Sequence, residues 1–142
     1  MSPKKSPRSA DYQFWDTSAL VAVILQERHT PLSLKAREEG RRFLAWEWMQ
    51  MEAYSALTRR KCGAWEFKSL KSLLEQFEFI SLDSEDYPAL GKIVHKHRLR
   101  SADAGHLYCL KQAKKLHASI CFVCFDEELV KAAETEGIRV FS

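Results

Sequence analysis

The sequence contains no long hydrophobic run. Its longest apolar stretch, residues 19–25, is seven residues long, whereas a membrane-spanning helix needs about 20. The sequence also has no segment with the pattern of a targeting signal. These two absences argue against a membrane protein, and we expect a cytoplasmic location.

A strong excess of charge of one sign is also missing. Lys and Arg number 22 against 19 Asp and Glu, a net charge of +3, which permits a polyanionic partner without indicating one. No internal repeat is visible. A composition of 46% hydrophobic and 29% charged residues argues against disorder. We therefore expect one folded domain over residues 12–142, preceded by a flexible basic tail over residues 1–11.

The four cysteines show no spacing of ligands for a zinc site. Cys121 and Cys124 invite a redox or zinc interpretation, but they lie in a short apolar run that is typical of a buried strand. Side chains three residues apart on a strand point to opposite faces. The pattern therefore favours reduced core cysteines.

Apolar periodicity predicts an alternation of strands and helices. Strands are predicted over residues 12–15, 43–46, 79–82, 119–125 and 138–141. Helices are predicted over residues 18–26, 31–39, 47–61, 65–77, from 84 or 86 to 97, 101–116 and 127–136. Strands joined by helical crossovers form parallel sheets. The expected fold is a three-layer α/β/α domain with a mostly parallel central sheet.

Two acidic residues directly follow predicted strands. Asp16 follows the first strand and Asp126 the fourth, and a helix begins immediately after each. Ligand sites in parallel sheets lie beyond the carboxyl ends of the strands, so both residues are candidates for a site. The alternative is that each carboxylate caps its helix.

Three further residues have both a functional and a structural interpretation. Glu52 lies at the flank of the apolar stripe of its helix, where it is either part of a site or a surface charge paired with Arg59 or Arg60. Asp103 lies in the first turn of a helix, where the dipole stabilises an acid. His106, one turn later on the same face, can reach substrate or a carboxylate, or is a packed helix residue.

The four acids occur in local contexts that resemble the motifs of the PIN domain family. A strand ending in Asp16, with Ser18 two residues later, resembles the first motif. Glu52 within Glu-Ala-Tyr-Ser-Ala-Leu-Thr-Arg-Arg resembles the second, and Asp103 within Ser-Ala-Asp-Ala-Gly-His the third. Asp126 within Phe-Asp-Glu-Glu-Leu resembles the fourth. The resemblance extends over residues 12–141.

This resemblance implies a metal-dependent endoribonuclease. In that interpretation four carboxylates bind Mg²⁺ or Mn²⁺ and are the catalytic residues: Asp16, Glu52, Asp103 and Asp126. Ser18 and His106 support them. Clustered carboxylates repel one another unless a cation is bound, and these cations favour oxygen ligands and activate water against a phosphodiester.

The resemblance also implies a biological role. The toxin branch, the VapC-type ribonucleases of toxin–antitoxin pairs, implies an antitoxin protein as partner and a homodimer. Tyr108 and Cys109 are larger than the residues usual in that branch. Two alternatives remain: a housekeeping PIN nuclease in ribosomal RNA maturation, and a catalytically silent PIN interaction module.

Basic and aromatic residues suggest where partners bind. Four arginines flank the candidate acids in the chain and are candidates for RNA contacts: Arg59, Arg60, Arg98 and Arg100. His95 and His97 are predicted to lie on the surface. The aromatic stretch over residues 46–54 is expected to combine core residues with a patch for a partner, or less favourably a platform for bases.

Overall fold

The structure, a computed structural model, describes residues 11–142 and consists of five strands and seven α-helices within that range. The strands are β1 (Tyr12–Trp15), β2 (Arg42–Trp46), β3 (Phe77–Ile80), β4 (Cys121–Val123) and β5 (Arg139–Val140). The helices are α1 (Thr17–Ile24), α2 (Thr30–Glu39), α3 (Met49–Arg59), α4 (Ala64–Leu74), α5 (Tyr87–His97), α6 (Ser101–Leu116) and α7 (Glu127–Thr135). A 3₁₀ turn, Ser84–Asp86, precedes α5.

The strands form one parallel sheet in the order β3-β2-β1-β4-β5. The first strand of the chain is therefore the central one. Phe14 is aligned with Leu44 on one side and Phe122 on the other. The order changes direction at β1, so the carboxyl ends of β1 and its neighbours surround the point where such sheets place their ligands.

Helices cover both faces of the sheet, and alternation along the strands assigns the two cores. Phe14 packs on the face covered by α5, α6 and α7, whereas its neighbour Trp15 packs on the face covered by α1, α2, α3 and α4. Both side chains are fully buried. The three-layer α/β/α fold is thus confirmed, and every strand pair among the described residues is parallel.

Several predicted boundaries need correction. The predicted helix over residues 65–77 ends at Leu74, and the strand predicted over 79–82 is Phe77–Ile80. Phe77 continues the helical spacing of α4, but it also alternates with Phe79, and parallel pairing with Phe43 makes it part of the strand. The fourth strand has only three residues, Cys121–Val123, against seven predicted.

The helix starts also differ in detail. Asp86, one of the two predicted caps, occupies the N-cap position of α5 but makes no side-chain capping bond. Asp83 caps the 3₁₀ turn before it, accepting a hydrogen bond from the Glu85 amide at 3.0 Å. Arg100 rather than Ser101 is the residue before α6, and its side chain makes no capping bond. Short polar residues are interchangeable as caps in a sequence pattern, and the backbone geometry selects among them.

The predicted basic tail lies outside the described residues except for Asp11. The Asp11 carbonyl accepts hydrogen bonds from the Arg41 and Arg42 amides, both at 2.9 Å, next to the start of β2. Within residues 11–142, no helix is both long enough and apolar enough to cross a membrane. All four cysteines are free thiols, and three of them are buried.

Candidate active site

The four candidate acids lie around the carboxyl end of the central strands. Asp16 directly follows β1, and Asp126 lies three residues beyond β4. The two strand ends are tied together by a hydrogen bond from the Asp16 amide to the Val123 carbonyl, at 3.2 Å. Glu52 and Asp103 come from the first turns of α3 and α6.

Asp16 is a helix cap and a member of the cluster at the same time. Its Oδ1 accepts hydrogen bonds from the Ala19 amide at 3.2 Å and from the Ser18 hydroxyl at 2.7 Å. The residue is only 4% exposed. Burial raises the pKa of Asp16 above its ordinary value, while the charge of His106 and the bond from Ser18 oppose the rise.

Ser18 joins the two strand ends that carry the acids. Its hydroxyl donates to Asp16 and accepts from the Phe125 amide at 3.0 Å. Phe125 immediately precedes Asp126, whose Oδ1 caps α7 by accepting from the Leu129 amide at 3.0 Å. One serine thus fixes the position of Asp16 relative to the segment that holds Asp126.

Glu52 is held by two residues from other elements. Its Oε1 accepts hydrogen bonds from the Thr17 hydroxyl at 2.7 Å and from Nε2 of His106 at 2.6 Å. A carboxylate only accepts, so the proton of this bond lies on the imidazole. Burial tends to raise the pKa of Glu52, but the bonds and charge of His106 and the bond from Thr17 outweigh it, and the pKa is lowered.

His106 is deeply placed, with a side chain only 2% exposed. Its ring meets Trp46 edge-on, with centroids 5.1 Å apart and planes at 87°. Its Nδ1 is buried and has no hydrogen-bond partner among residues 11–142. Of the two interpretations of His106, the structure favours contact with a carboxylate, that of Glu52, over simple packing in an apolar core.

Asp103 is influenced electrostatically by each of the other three carboxylates. Burial raises its pKa most, followed by the charge of Asp126; Asp16 and Glu52 raise it further, and His106 lowers it. The four acids are therefore close enough for their charges to interact. All four lie at the carboxyl end of the sheet, shortly after strands or in the first turns of helices.

The donor set suits a hard divalent cation in its chemistry. All four side chains offer oxygen ligands. Burial raises the pKa of Asp16, and burial followed by the charges of the neighbouring carboxylates raises the pKa of Asp103. However, within residues 11–142 no group of three or more His, Cys, Asp or Glu side chains is arranged to hold a metal ion. Glu52 is directed at His106 and Thr17, and Asp126 at the start of α7.

Thr17 is a residue of this region that the sequence does not single out, and Cys124, predicted as a reduced core cysteine, lies beside the acids. Thr17 stands between two predicted motif positions, and its bond to Glu52 bridges 35 residues of sequence. Cys124 is buried; its thiol donates to the Asp126 carbonyl at 3.8 Å and helps to lower the pKa of Asp16. Burial, followed by the charge of Asp16, raises the Cys124 pKa, so this thiol remains protonated. The sequence signal for this position is that Cys124 lies two residues before the candidate acid Asp126.

The four candidate arginines are divided in space. Arg59 lines a cavity of about 250 Å³ together with Thr17 and Glu52, whereas Arg60 lies 3.7 Å from Glu27. Arg98 and Arg100 are exposed, at the end of α5 and directly before α6. The pairing of Glu52 with Arg59 or Arg60, considered from the sequence, does not occur.

An aromatic groove adjoins the acids. We use this name for a cavity of about 650 Å³ whose exposed apolar walls are Trp48, Met51, Tyr54 and Tyr87. These four are among the seven exposed large hydrophobic residues of the described chain. Trp48 and Met51 also line the smaller cavity beside Glu52, so the groove continues to the site.

Comparison with known proteins agrees with this architecture. The family model described as PIN domain matches residues 14–135. The crystal structure of PAE2754 from Pyrobaculum aerophilum is similar, with a TM-score of 0.57 and 24% sequence identity over 92% of this chain and 90% of that chain. At this identity the likeness shows the fold alone. No curated protein matches the chain.

Proposed function

Because the chain belongs to the PIN domain family, whose members are in general nucleases, we propose that it is a metal-dependent endoribonuclease and the toxin of a VapBC-type pair. The observation that carries the proposal is the clustering of Asp16, Glu52, Asp103 and Asp126 at the carboxyl end of the sheet, where the charges of Asp126, Asp16 and Glu52 all raise the pKa of Asp103. A cluster of acids without a cation is costly to the fold, and a functional requirement explains its presence.

In this proposal Asp16, Glu52, Asp103 and Asp126 would hold Mg²⁺ or Mn²⁺. The bound ion supplies an activated water and stabilises charge on the leaving oxygen. Ser18 orients Asp16 through its 2.7 Å hydrogen bond, and His106 and Thr17 orient Glu52. Preorganised carboxylates of this kind reduce the reorganisation needed when substrate binds.

RNA contacts are assigned to cations at the rim of the site. Arg59 lines the cavity that contains Glu52, and Arg98 and Arg100 are the first and last residues of the link between α5 and α6, close in sequence to Asp103. Arg60 faces Glu27 and contributes less. Phosphate contacts from such residues set affinity without reading sequence.

The aromatic groove supports the toxin role. An exposed apolar surface of this kind is typical of a protein interaction site, and an apolar helix or strand of an antitoxin would cover it while a basic side chain reaches the acids. A homodimer and a cytoplasmic location belong to the same proposal. The intact set of acids disfavours a silent interaction module, while a housekeeping nuclease would use the same residues.

Two measurements test the proposed function. Purified protein should cleave single-stranded RNA in Mg²⁺ or Mn²⁺, leaving 5′-phosphates, and lose the activity in EDTA. Expression of the protein alone should slow growth, and expression of Asp16→Asn should not. Cleavage without growth inhibition would favour the housekeeping nuclease; absence of cleavage by soluble, folded protein would count against both.

A further inference from the structure

A second charged region lies away from the acidic site, between α5 and α6. Four lysines line a cavity of about 330 Å³ here: Lys92, Lys96, Lys111 and Lys115. Ile93 forms part of its apolar wall, and Glu136 is the one carboxylate among its described lining residues. The excess of three positive charges equals the net charge of the whole chain, so the remaining residues are balanced overall.

Glu136 organises part of this cavity. Its Oε2 lies 2.7 Å from Nζ of Lys96 and 2.6 Å from Nε2 of His97, and its Oε1 lies 2.9 Å from Nζ of Lys111. The Glu136 side chain is only 10% exposed. Bonds from Lys96, Lys111 and His97 lower its pKa to about 2, so it stays ionised and fixes two of the lysines.

The other two lysines have no such partner. Within residues 11–142, no carboxylate lies within ion-pair distance of Lys92 or Lys115. Lys115 has only a 3.5 Å contact with the Gln112 side chain, and both lysines are exposed. Positive charges that lie close together repel one another. The excess of lysines over carboxylates in this cavity therefore favours the binding of an anion.

Helix α6 connects this cavity with the acidic site. Asp103 is in its first turn, and Lys111 and Lys115 are eight and twelve residues later, which corresponds to about 12 and 18 Å along the helix axis. One rigid element therefore carries both groups. The cavity has room for a phosphate with its sugar, and lysine is a flexible point charge that suits phosphates.

We propose that this lysine cavity binds backbone phosphates of a single-stranded RNA whose scissile phosphate lies at the acidic site. The inference rests on the proposed function, because it takes its ligand from that activity. Lys92 and Lys115 contact the phosphates directly. Lys96 and Lys111, fixed by Glu136, contribute positive charge to the cavity wall. The cavity thereby favours long substrates over short ones.

The test compares Lys92→Ala/Lys115→Ala with the control Lys35→Ala/Lys71→Ala, which removes the same charge from exposed positions on α2 and α4. Binding of a single-stranded RNA of about 20 nucleotides is measured by fluorescence anisotropy in EDTA over a range of salt. The cavity variant should bind more weakly, with a slope of log affinity against log salt reduced by about 1.4. The control should keep the wild-type slope.

Cleavage in Mg²⁺ supplies a second measurement. The cavity variant should show a higher KM for the long RNA and unchanged turnover of a dinucleotide, which is too short to reach the lysines. If the wild-type protein cleaves RNA but the two double variants bind RNA equally well, the lysine site is wrong and the nuclease proposal stands. Lysine-dependent binding without cleavage would support the site and contradict the nuclease proposal.

An acidic protein segment is the competing occupant. Polyglutamate serves as its probe in the same titrations. If the cavity variant loses affinity for polyglutamate but retains that for RNA, the proposal is overturned in favour of a protein partner. Failure of the wild-type protein to bind RNA at all overturns it together with the proposed function.

Discussion

The ring of Trp46 occupies the space that a side chain at Gly105 would need. A Cβ at position 105 would collide with Cη2, Cζ3 and Cε3 of that ring. Trp46 in turn meets the ring of His106 edge-on, and His106 donates to Glu52. The absence of a side chain at Gly105 therefore allows the packing that keeps His106 on Glu52.

Replacement of Gly105 by Ala should displace Trp46. Overpacking a rigid site costs on the order of 1–3 kcal/mol, and we expect a loss in the free energy of unfolding of that size, measured by urea denaturation. The tryptophan fluorescence of the native state should change as well. RNA cleavage should fall, because His106 loses its packing contact with the ring of Trp46.

Gly91→Ala is the matched control for that experiment. Gly91 lies within α5, and a Cβ there would meet no atom within 4 Å. The substitution should therefore raise stability by about 0.5–1 kcal/mol, since Ala is the better helix former. If Gly105→Ala were as stable as Gly91→Ala, the proposed contact between Trp46 and position 105 would be wrong.

Asp103 and Glu52 should respond oppositely to loss of charge when no divalent cation is present. The folded-state pKa of Asp103 is raised, so its contribution to stability is present below its ordinary pKa and is lost as the pH rises through the folded value. Asp103→Asn should therefore increase the melting temperature at pH 7 in EDTA, and the gain should disappear in acid.

The sign is reversed for Glu52. Its folded-state pKa is lowered, so its contribution is present above its ordinary pKa and is lost as the pH falls through the folded value. Glu52→Gln should lower stability at pH 7 by on the order of 1 kcal/mol, since hydrogen bonds to a charged group are lost from a partly exposed position. Equal shifts of both variants in the same direction would contradict this electrostatic description.

Ser18→Ala should separate the two strand ends. The variant loses the bond to Asp16 and leaves the Phe125 amide without its acceptor, which costs about 1–3 kcal/mol when the group is buried. Cleavage should fall more than stability explains, because Asp16 is no longer oriented. Ser72→Ala, at an exposed position on α4, is the control, and activity of Ser18→Ala at the control level would exclude the positioning role.

Arg98→Ala/Arg100→Ala should weaken RNA binding. Two lost phosphate contacts to a single strand reduce the slope of log affinity against log salt by about 1.4. The control pair is Arg41 and Arg139, which lie at the amino ends of β2 and β5, the opposite edge of the sheet. An unchanged slope for Arg98→Ala/Arg100→Ala would remove these residues from the RNA interface.

The sequence was informative where local pattern and tertiary environment agree. The short apolar run before Asp16 identified β1 with its observed bounds, and the alternation of strands with helical segments predicted the parallel three-layer fold. Phe77 satisfies the helical and the strand periodicity at once, and the sequence pattern alone places it in the helix. Only its pairing with Phe43 across the sheet decides between them.

The site was predictable as a set of acids but not as a network. The bond between His106 and Glu52 joins residues 54 positions apart, and Thr17 reaches Glu52 across 35. No local pattern contains such contacts. For the same reason His97, predicted to lie on the surface, is in fact largely buried: its ring is 8% exposed and bonded to Glu136.

The four-acid site is tested most directly by RNA cleavage by Asp16→Asn in Mg²⁺ or Mn²⁺, in a preparation free of other nucleases. Asn keeps the shape of the side chain and remains a good helix cap, so α1 should be preserved. We expect at least about a hundredfold loss of cleavage, because the charge needed to hold the ion is gone. Added metal should also raise the melting temperature of the variant less than that of the wild type. Wild-type cleavage by the folded variant would contradict the site.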